Sequence, residues 1–163
     1  MGKQTFVISL RAPSNARARA LARRLLKPVV ARHKDGVPRI YFRGDAGFAS
    51  PDICGYLEAD GIKYAIRLPT NRVPQERIGH LLTRPVGRPP NEVRRSYANF
   101  TYQAGSWSKP RRLVAKVESH PGELDPRVGF VVTDGARGER RRLLQEERCE
   151  QYNKEGKGQG IRI

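Results

Sequence analysis

Apolar residues recur with two different periods along the chain, and these periods predict its first elements. The segment Thr5–Leu10, TFVISL, is a short apolar run that indicates a buried strand. Residues 16–33 follow the three- and four-residue spacing of an amphipathic helix, on a stripe formed by Ala18, Leu21, Leu25 and Val29. Pro28 lies inside this helical pattern and predicts a kink or the end of a turn there.

The next unit predicts a strand, a helix and a second strand. Residues 37–43, VPRIYFR, are rich in the β-branched and aromatic residues that favour strands. Ser50 and Pro51 then provide an N-cap and a first helical residue, and Gly61 ends the helix. Residues 62–68 alternate between apolar and polar positions, as a half-buried strand does. A βαβ crossover of this kind implies that its two strands are parallel.

The second half of the chain predicts a β-rich region followed by a late helix. Three strand patterns separated by turns indicate an antiparallel meander, at residues 96–103, 112–119 and 128–134. We expect an α/β fold, α+β overall, with four parts: a partial core in 1–70, a basic Pro/Gly linker in 71–95, a β-rich insertion with its returning strand in 96–133, and a C-terminal helix and tail in 134–163.

The charge of the chain points to a polyanionic partner. The sequence has 32 Lys and Arg residues against 16 Asp and Glu residues, a formal net charge of +16. Residues 1–34 contain nine basic residues and no acid. Such an excess favours nucleic acid over an acidic membrane surface, although a solvated basic helix face explains any single arginine equally well. Cys54 and Cys149 form no disulfide framework, and no apolar run is long enough to span a membrane, so we expect an intracellular protein.

Asp45 is the first candidate for chemistry. It follows the first strand of the βαβ unit, lies between Gly44 and Ala46, and precedes the helix. Open α/β sheets bind ligands at the carboxyl ends of their parallel strands, and small neighbours let another molecule approach the backbone. The alternative is an ordinary turn or capping aspartate.

A second carboxylate and a basic loop are weaker candidates. Glu146 and Glu150 share a face of the predicted last helix, and carboxylates on a strand end and a helix suit two Mg²⁺ ions in phosphodiester chemistry. Solvated ion pairs with the basic residues of that helix are the alternative. In the linker, Gly87-Arg88-Pro89 is similar to basic peptides that lie in the DNA minor groove, and an ordinary polar linker is the alternative.

Several segments resemble one family. Residues 41–73 resemble the region around the second aspartate of DDE-type insertion-sequence transposases, in the subgroup with a β-rich insertion before the glutamate. Residues 100–118 and 123–134 are similar to that insertion and its returning strand, and residues 149–157 to the block with the glutamate. The resemblance covers residues 37–158 and implies an RNase-H-like fold that is only partly present here.

The resemblance implies roles for particular residues. Asp45 corresponds to the second catalytic aspartate and Glu150 to the catalytic glutamate, both as Mg²⁺ ligands for DNA cleavage and strand transfer. Family members contact DNA near the cut through a Tyr-x2-Arg-x3-Glu-x6-Lys motif, in which only Lys157 matches besides Glu150. The resemblance implies a DNA contact at Lys157, and we also expect DNA contacts at Arg88, Arg43 and Arg148. The implied partners are DNA and a second copy of the chain, in the bacterial cytoplasm at the nucleoid.

The family also requires a first aspartate, and the sequence has no match for it. The one acid before Asp45 is Asp35, at the opposite end of the same predicted strand. We therefore expect a truncated domain in which TFVISL is the third strand of the family fold and the first two are absent, so that its edge and the edge of the Asp45 strand are both open. The hypotheses are a transposase that is catalytically incomplete, a DNA-binding remnant without chemistry, and a decayed fragment of a mobile element.

Overall fold

A computed structural model describes residues 5–10, 16–69, 72–83, 87 and 91–134 of the chain. The strands are β1 (Thr5–Leu10), β2 (Arg39–Gly44), β3 (Lys63–Leu68), β4 (Arg94–Tyr102), β5 (Arg111–Ser119) and β6 (Arg127–Thr133). The helices are α1 (Ala16–Lys34), α2 (Pro51–Ala59), α3 (Arg72–Glu76) and α4 (Gly79–Leu82), and a 3₁₀ turn covers Ala46–Phe48. Of these described helices, none is both long and apolar enough to cross a membrane.

All six strands form one mixed sheet in the order β1-β2-β3-β6-β5-β4. The strands β1, β2 and β3 are parallel, while β6, β5 and β4 continue the sheet as an antiparallel meander. The βαβ unit and the meander predicted from the sequence are thus confirmed. The result is the mixed α/β architecture expected for an RNase-H-like arrangement, with α+β character overall.

The hydrophobic core lies on one face of the sheet. Leu26 and Val30 of α1 and Ile53 and Leu57 of α2 belong to one buried cluster with alternate strand residues such as Phe42. Both helices therefore cover the same face, as two successive right-handed crossovers require. Strand residues of the other parity form a second face, on which Tyr41 and Val114 are also buried. We call it the second face, and its members include Val7, Arg43, Ala65, Thr133 and Arg112.

The expectation that two absent strands leave the edge of β2 open is wrong. The strand β1 pairs with β2 in parallel along its whole length, from Thr5 beside Arg39 to Leu10 beside Gly44. In the fold that the resemblance implies, two antiparallel strands separate these two neighbours, and skipping two antiparallel strands keeps the direction, so β1 and β2 can pair in parallel. Within the described part of the chain, β1 has no second neighbour and forms an edge of the sheet.

The apolar stripe predicted for α1 is not the side of the helix that packs on the sheet. Leu25 and Val29 are 56% and 39% exposed, whereas Leu26 and Val30 are buried against the sheet. The helix has two adjacent apolar stripes, and only one of them can face a flat sheet. Pro28 does not end the helix, which continues from Ala16 to Lys34.

Local signals around α2 are confirmed. Ser50 caps the helix by accepting a hydrogen bond from the backbone N–H of Ile53 at 3.3 Å, and Pro51 is the first helical residue. Gly61 follows the helix with φ of +67°, a left-handed conformation that favours glycine. These signals fix the length of α2 and hence the spacing between β2 and β3.

Candidate active site

Asp45 lies directly after β2, at the carboxyl edge of the three parallel strands, as predicted. Its carboxylate Oδ1 accepts a hydrogen bond from the backbone N–H of Gly47 at 3.0 Å, and its carbonyl accepts one from Phe48 at 3.0 Å. Asp45 is therefore the N-cap of the 3₁₀ turn. The geometry thus shows the capping role that was the alternative for Asp45. A catalytic role for Asp45 stays a prediction.

Gly44 is required by the packing of the turn. A Cβ atom on Gly44 would lie 3.0 Å from Phe42 Cε1 and 3.0 Å from Phe48 Cβ, tighter than nine in ten real contacts, so the two rings would have to shift. The two phenylalanine rings pack edge to face with centroids 5.7 Å apart and are buried. The small residue before Asp45 thus makes room for the protein's own core, which directs the chain into the turn that holds the carboxylate.

The strands beside Asp45 bring no further carboxylate to it. Ser9 lies beside Arg43 and Leu10 beside Gly44, so the carboxyl end of β1 supplies a hydroxyl and an apolar residue. No group of three or more His, Cys, Asp or Glu side chains that could hold a metal ion occurs among the described residues. Mg²⁺ is usually bound through one or two carboxylates together with waters and substrate phosphates, and Asp45 is the carboxylate that the described ends of β1 and β2 provide.

Of the other candidate residues, Arg43 is described. It is half-buried in β2 on the second face, between Ser9 of β1 and Ala65 of β3. Arg43 lies two residues before Asp45, which follows the end of β2. The remaining candidates lie outside the described residues, namely Glu150, Lys157, Arg148 and Arg88.

A partly buried ion cluster that the sequence pattern did not predict joins the meander to α2. The Glu58 carboxylate accepts hydrogen bonds from Tyr64 Oη at 2.8 Å and from Arg111 Nε at 2.8 Å, and Lys109 Nζ lies 2.7 Å from its other oxygen. The Arg111 side chain is only 4% exposed and lies over the Trp107 ring, 5.3 Å from its centroid. We call these five residues the Glu58 cluster.

Electrostatics in the Glu58 cluster follow from burial and pairing. Burial raises the pKa of Glu58, but the hydrogen bonds from Arg111, Lys109 and Tyr64 outweigh it and lower this pKa to about 2. Burial and the bond to Glu58 raise the pKa of Tyr64 well above its usual range. The sequence contained one sign of this cluster: Arg111 lies on the apolar face of β5 together with Leu113 and Ala115.

Comparison with known proteins identifies the family. A search of curated proteins gave no match. The family model described as transposase DDE domain group 1 matches residues 1–159, nearly the whole chain. Members of this family act on DNA and generally use divalent metal ions. With its mixed sheet and an aspartate at the carboxyl edge of the parallel strands, the chain belongs to the transposase DDE domain family, group 1.

Proposed function

We propose that the chain is a transposase domain that binds DNA through its positive charge and retains part of a site for DNA cleavage and strand transfer, without completing that site alone. The observation that carries the proposal is the pair of strand ends at the carboxyl edge. At this edge Asp45 follows β2, and the neighbouring strand β1 ends in Ser9 and Leu10, neither of which is a carboxylate.

Charge supports the DNA-binding part of the proposal. The chain carries a formal net charge of +16, and four described basic residues of α1 are exposed: Arg24, Lys27, Arg32 and Lys34, the last of which is paired with Asp60. A concentration of positive charge on a small domain attracts phosphate backbones irrespective of base sequence. We propose direct DNA contacts for Arg43 in β2 and for Arg88, Arg148 and Lys157.

The length of chain between β6 and Glu150 supports Glu150 as the partner of Asp45. Asp134 follows β6 at the amino edge of the parallel strands, where its Oδ1 accepts a hydrogen bond from the backbone N–H of Tyr64 at 3.0 Å. A six-residue strand spans about 20 Å, and the helix predicted from the sequence rises about 1.5 Å per residue. Sixteen residues of such a helix rise about 24 Å, enough to bring Glu150 back to the carboxyl edge.

A divalent ion bound at this edge would be held by Asp45 and Glu150, and it would activate an attacking oxygen for phosphodiester chemistry. Asp45 already has a fixed orientation, because Gly47 binds one of its oxygens. The resemblance implies three carboxylates at such a site, and Asp45 and Glu150 are two of them. We therefore propose that the isolated chain binds DNA but does not cut it.

The DNA-binding proposal is tested by replacing Arg43 with alanine. We expect a severalfold loss of affinity for a short duplex in fluorescence anisotropy, because one charge-assisted contact to phosphate is removed. Lys34→Ala is the matched control, since it removes one positive charge at the opposite edge of the sheet, where Lys34 Nζ lies 3.9 Å from Asp60. Equal losses in both variants would contradict a specific contact by Arg43, and absence of duplex binding by the unchanged chain would overturn the proposed function.

A further inference from the structure

A cleft lies at the amino edge of the parallel strands, opposite the edge at which Asp45 lies. It has a volume of about 540 Å³ and lies between the end of α1 and the first residues of β2 and β3. Sites for small organic molecules have volumes of about 300–1,000 Å³. A strand of six residues separates this cleft from Asp45 by about 20 Å, so it is distinct from the candidate active site. We call it the amino-edge cleft.

The inner wall of the amino-edge cleft is apolar. Val30 of α1, Ile40 of β2 and Ile62, which precedes β3, line the cleft and are only 2%, 9% and 3% exposed. All three belong to the hydrophobic core, so the cleft opens onto the edge of that core. An apolar ligand body placed against this wall is stabilised, because it removes apolar surface from water.

Charged side chains line the solvent-exposed part of the cleft. Three are cations, from the end of α1 and the starts of β2 and β3: Lys34, Arg39 and Lys63. Two are anions, Asp60 and Asp134. The two lysine side chains are 58% and 45% exposed, so both are accessible to a ligand. The described lining of the cleft thus carries one more positive than negative charge.

The two acids of the cleft are engaged to different degrees. Asp134 accepts hydrogen bonds through both oxygens, from the backbone N–H of Tyr64 at 3.0 Å and from Lys63 Nζ at 3.2 Å. Asp60 Oδ1 lies 3.9 Å from Lys34 Nζ, and an exposed pair at that distance contributes little. Lys34 can therefore turn to a ligand without the loss of a strong contact.

We propose that the amino-edge cleft binds a small organic anion, with its apolar body against the inner wall and its acidic group at Lys34 and Arg39. The net charge of +16 favours an anionic ligand over a cationic one. The ligand class is a carboxylate, sulfonate or phosphate on an aliphatic or aromatic body. The phosphate backbone of DNA matches the charged part of the cleft alone, because it carries no apolar body for the inner wall.

Fluorescence titration of the full chain with anilinonaphthalene sulfonate tests this proposal. The probe joins a sulfonate to aromatic rings and fluoresces more strongly in apolar surroundings, and we expect saturable binding. At constant ionic strength, octanoate should displace the probe. Inorganic phosphate, which lacks an apolar body, and octylammonium, which has the opposite charge, should not displace it.

Four variants test the position and the sign of the charges. Arg39→Gln removes a cation of the cleft and should weaken probe binding by about fivefold, whereas Asp60→Asn removes the acid beside Lys34 and should strengthen it by about twofold. The matched controls Arg67→Gln and Asp52→Asn make the same changes at exposed positions near the carboxyl edge and should leave probe binding unchanged. Circular dichroism verifies that each variant is folded.

The outcomes separate the alternatives. Opposite effects of Arg39→Gln and Asp60→Asn, with both controls unchanged, support the proposal. Absence of saturable binding overturns it, and so do equal effects in the cleft and control variants, which indicate an adventitious additive only. Displacement by phosphate or by a short DNA duplex as effective as that by octanoate also overturns it, because charge alone then explains binding. DNA affinity of the unchanged chain is measured separately, so failure here leaves the proposed function untouched.

Discussion

The affinity of the chain for duplex DNA is expected to fall by about 10³-fold when monovalent salt rises from about 50 to about 200 mM. Each phosphate that a lysine or arginine neutralises releases a condensed counterion, so the logarithm of the binding constant falls linearly with the logarithm of the salt concentration. A slope of about −5 to −6 corresponds to about six phosphate contacts. The net charge of +16 and the exposed basic residues of α1 provide enough cations for a footprint of this size.

Fluorescence anisotropy of a labelled duplex, titrated at several salt concentrations, gives this slope directly. An unlabelled duplex of different sequence is the control, and we expect it to compete equally because phosphate contacts carry no base information. An affinity that changes by less than about tenfold over the same salt range would contradict binding through the phosphate backbone.

Replacing Glu58 with alanine is expected to lower the free energy of unfolding by about 3–5 kcal/mol. The substitution removes the carboxylate that binds Arg111, Lys109 and Tyr64 and leaves the Arg111 guanidinium buried without its counterion. Removing one partner of a buried ion pair lowers the free energy of unfolding by more than the intact pair contributes to it, because the remaining charge stays out of water. Urea denaturation followed by circular dichroism measures the change.

Two further variants make this result specific. Glu123→Ala breaks an exposed pair with Arg127 in a turn, and we expect stability to change little. The double variant Glu58→Leu/Arg111→Met removes both charges and is expected to recover part of the loss. If Glu58→Ala were as stable as Glu123→Ala, the cluster would not hold the meander to α2.

The same cluster predicts how stability depends on pH. The pKa of Glu58 is about 2 in the folded chain and near 4.5 when unfolded, so its contribution is complete above about pH 4.5 and is lost as the pH falls towards 2. The lost contribution is about 3 kcal/mol. Glu58→Ala should therefore be less sensitive to pH than the unchanged chain over this interval.

Local features of the fold were predictable from the sequence because local residues determine them. Ser50, Pro51 and Gly61 set the ends of α2 through one hydrogen bond, one fixed φ angle and one left-handed residue. The position of Asp45 followed equally directly, since it is the residue after a strand that the β-branched and aromatic pattern defines.

Features that depend on distant partners were not predictable in the same way. Leu25, Leu26, Val29 and Val30 form two neighbouring stripes, and only contact with the sheet decides which of them is buried. The pairing of β1 with β2 depends on which strand is available at that edge. Glu58 and Arg111 are 53 residues apart, and the position of Arg111 on the apolar face of β5 does not indicate which residue pairs with it. The sequence therefore predicted the position of Asp45 but not the Glu58 cluster.

The most direct test of the proposed function is a cleavage assay with supercoiled plasmid and the purified chain, in the presence of Mg²⁺ or Mn²⁺ and at low salt. The proposal predicts that the chain binds the plasmid, detected as a mobility shift, and that no nicked or linear DNA accumulates above the protein-free background. Asp45→Ala is the control and should behave identically. Nicking that requires the divalent ion and disappears in Asp45→Ala would contradict the proposal, because it would show that the carboxylates of this chain complete a catalytic site.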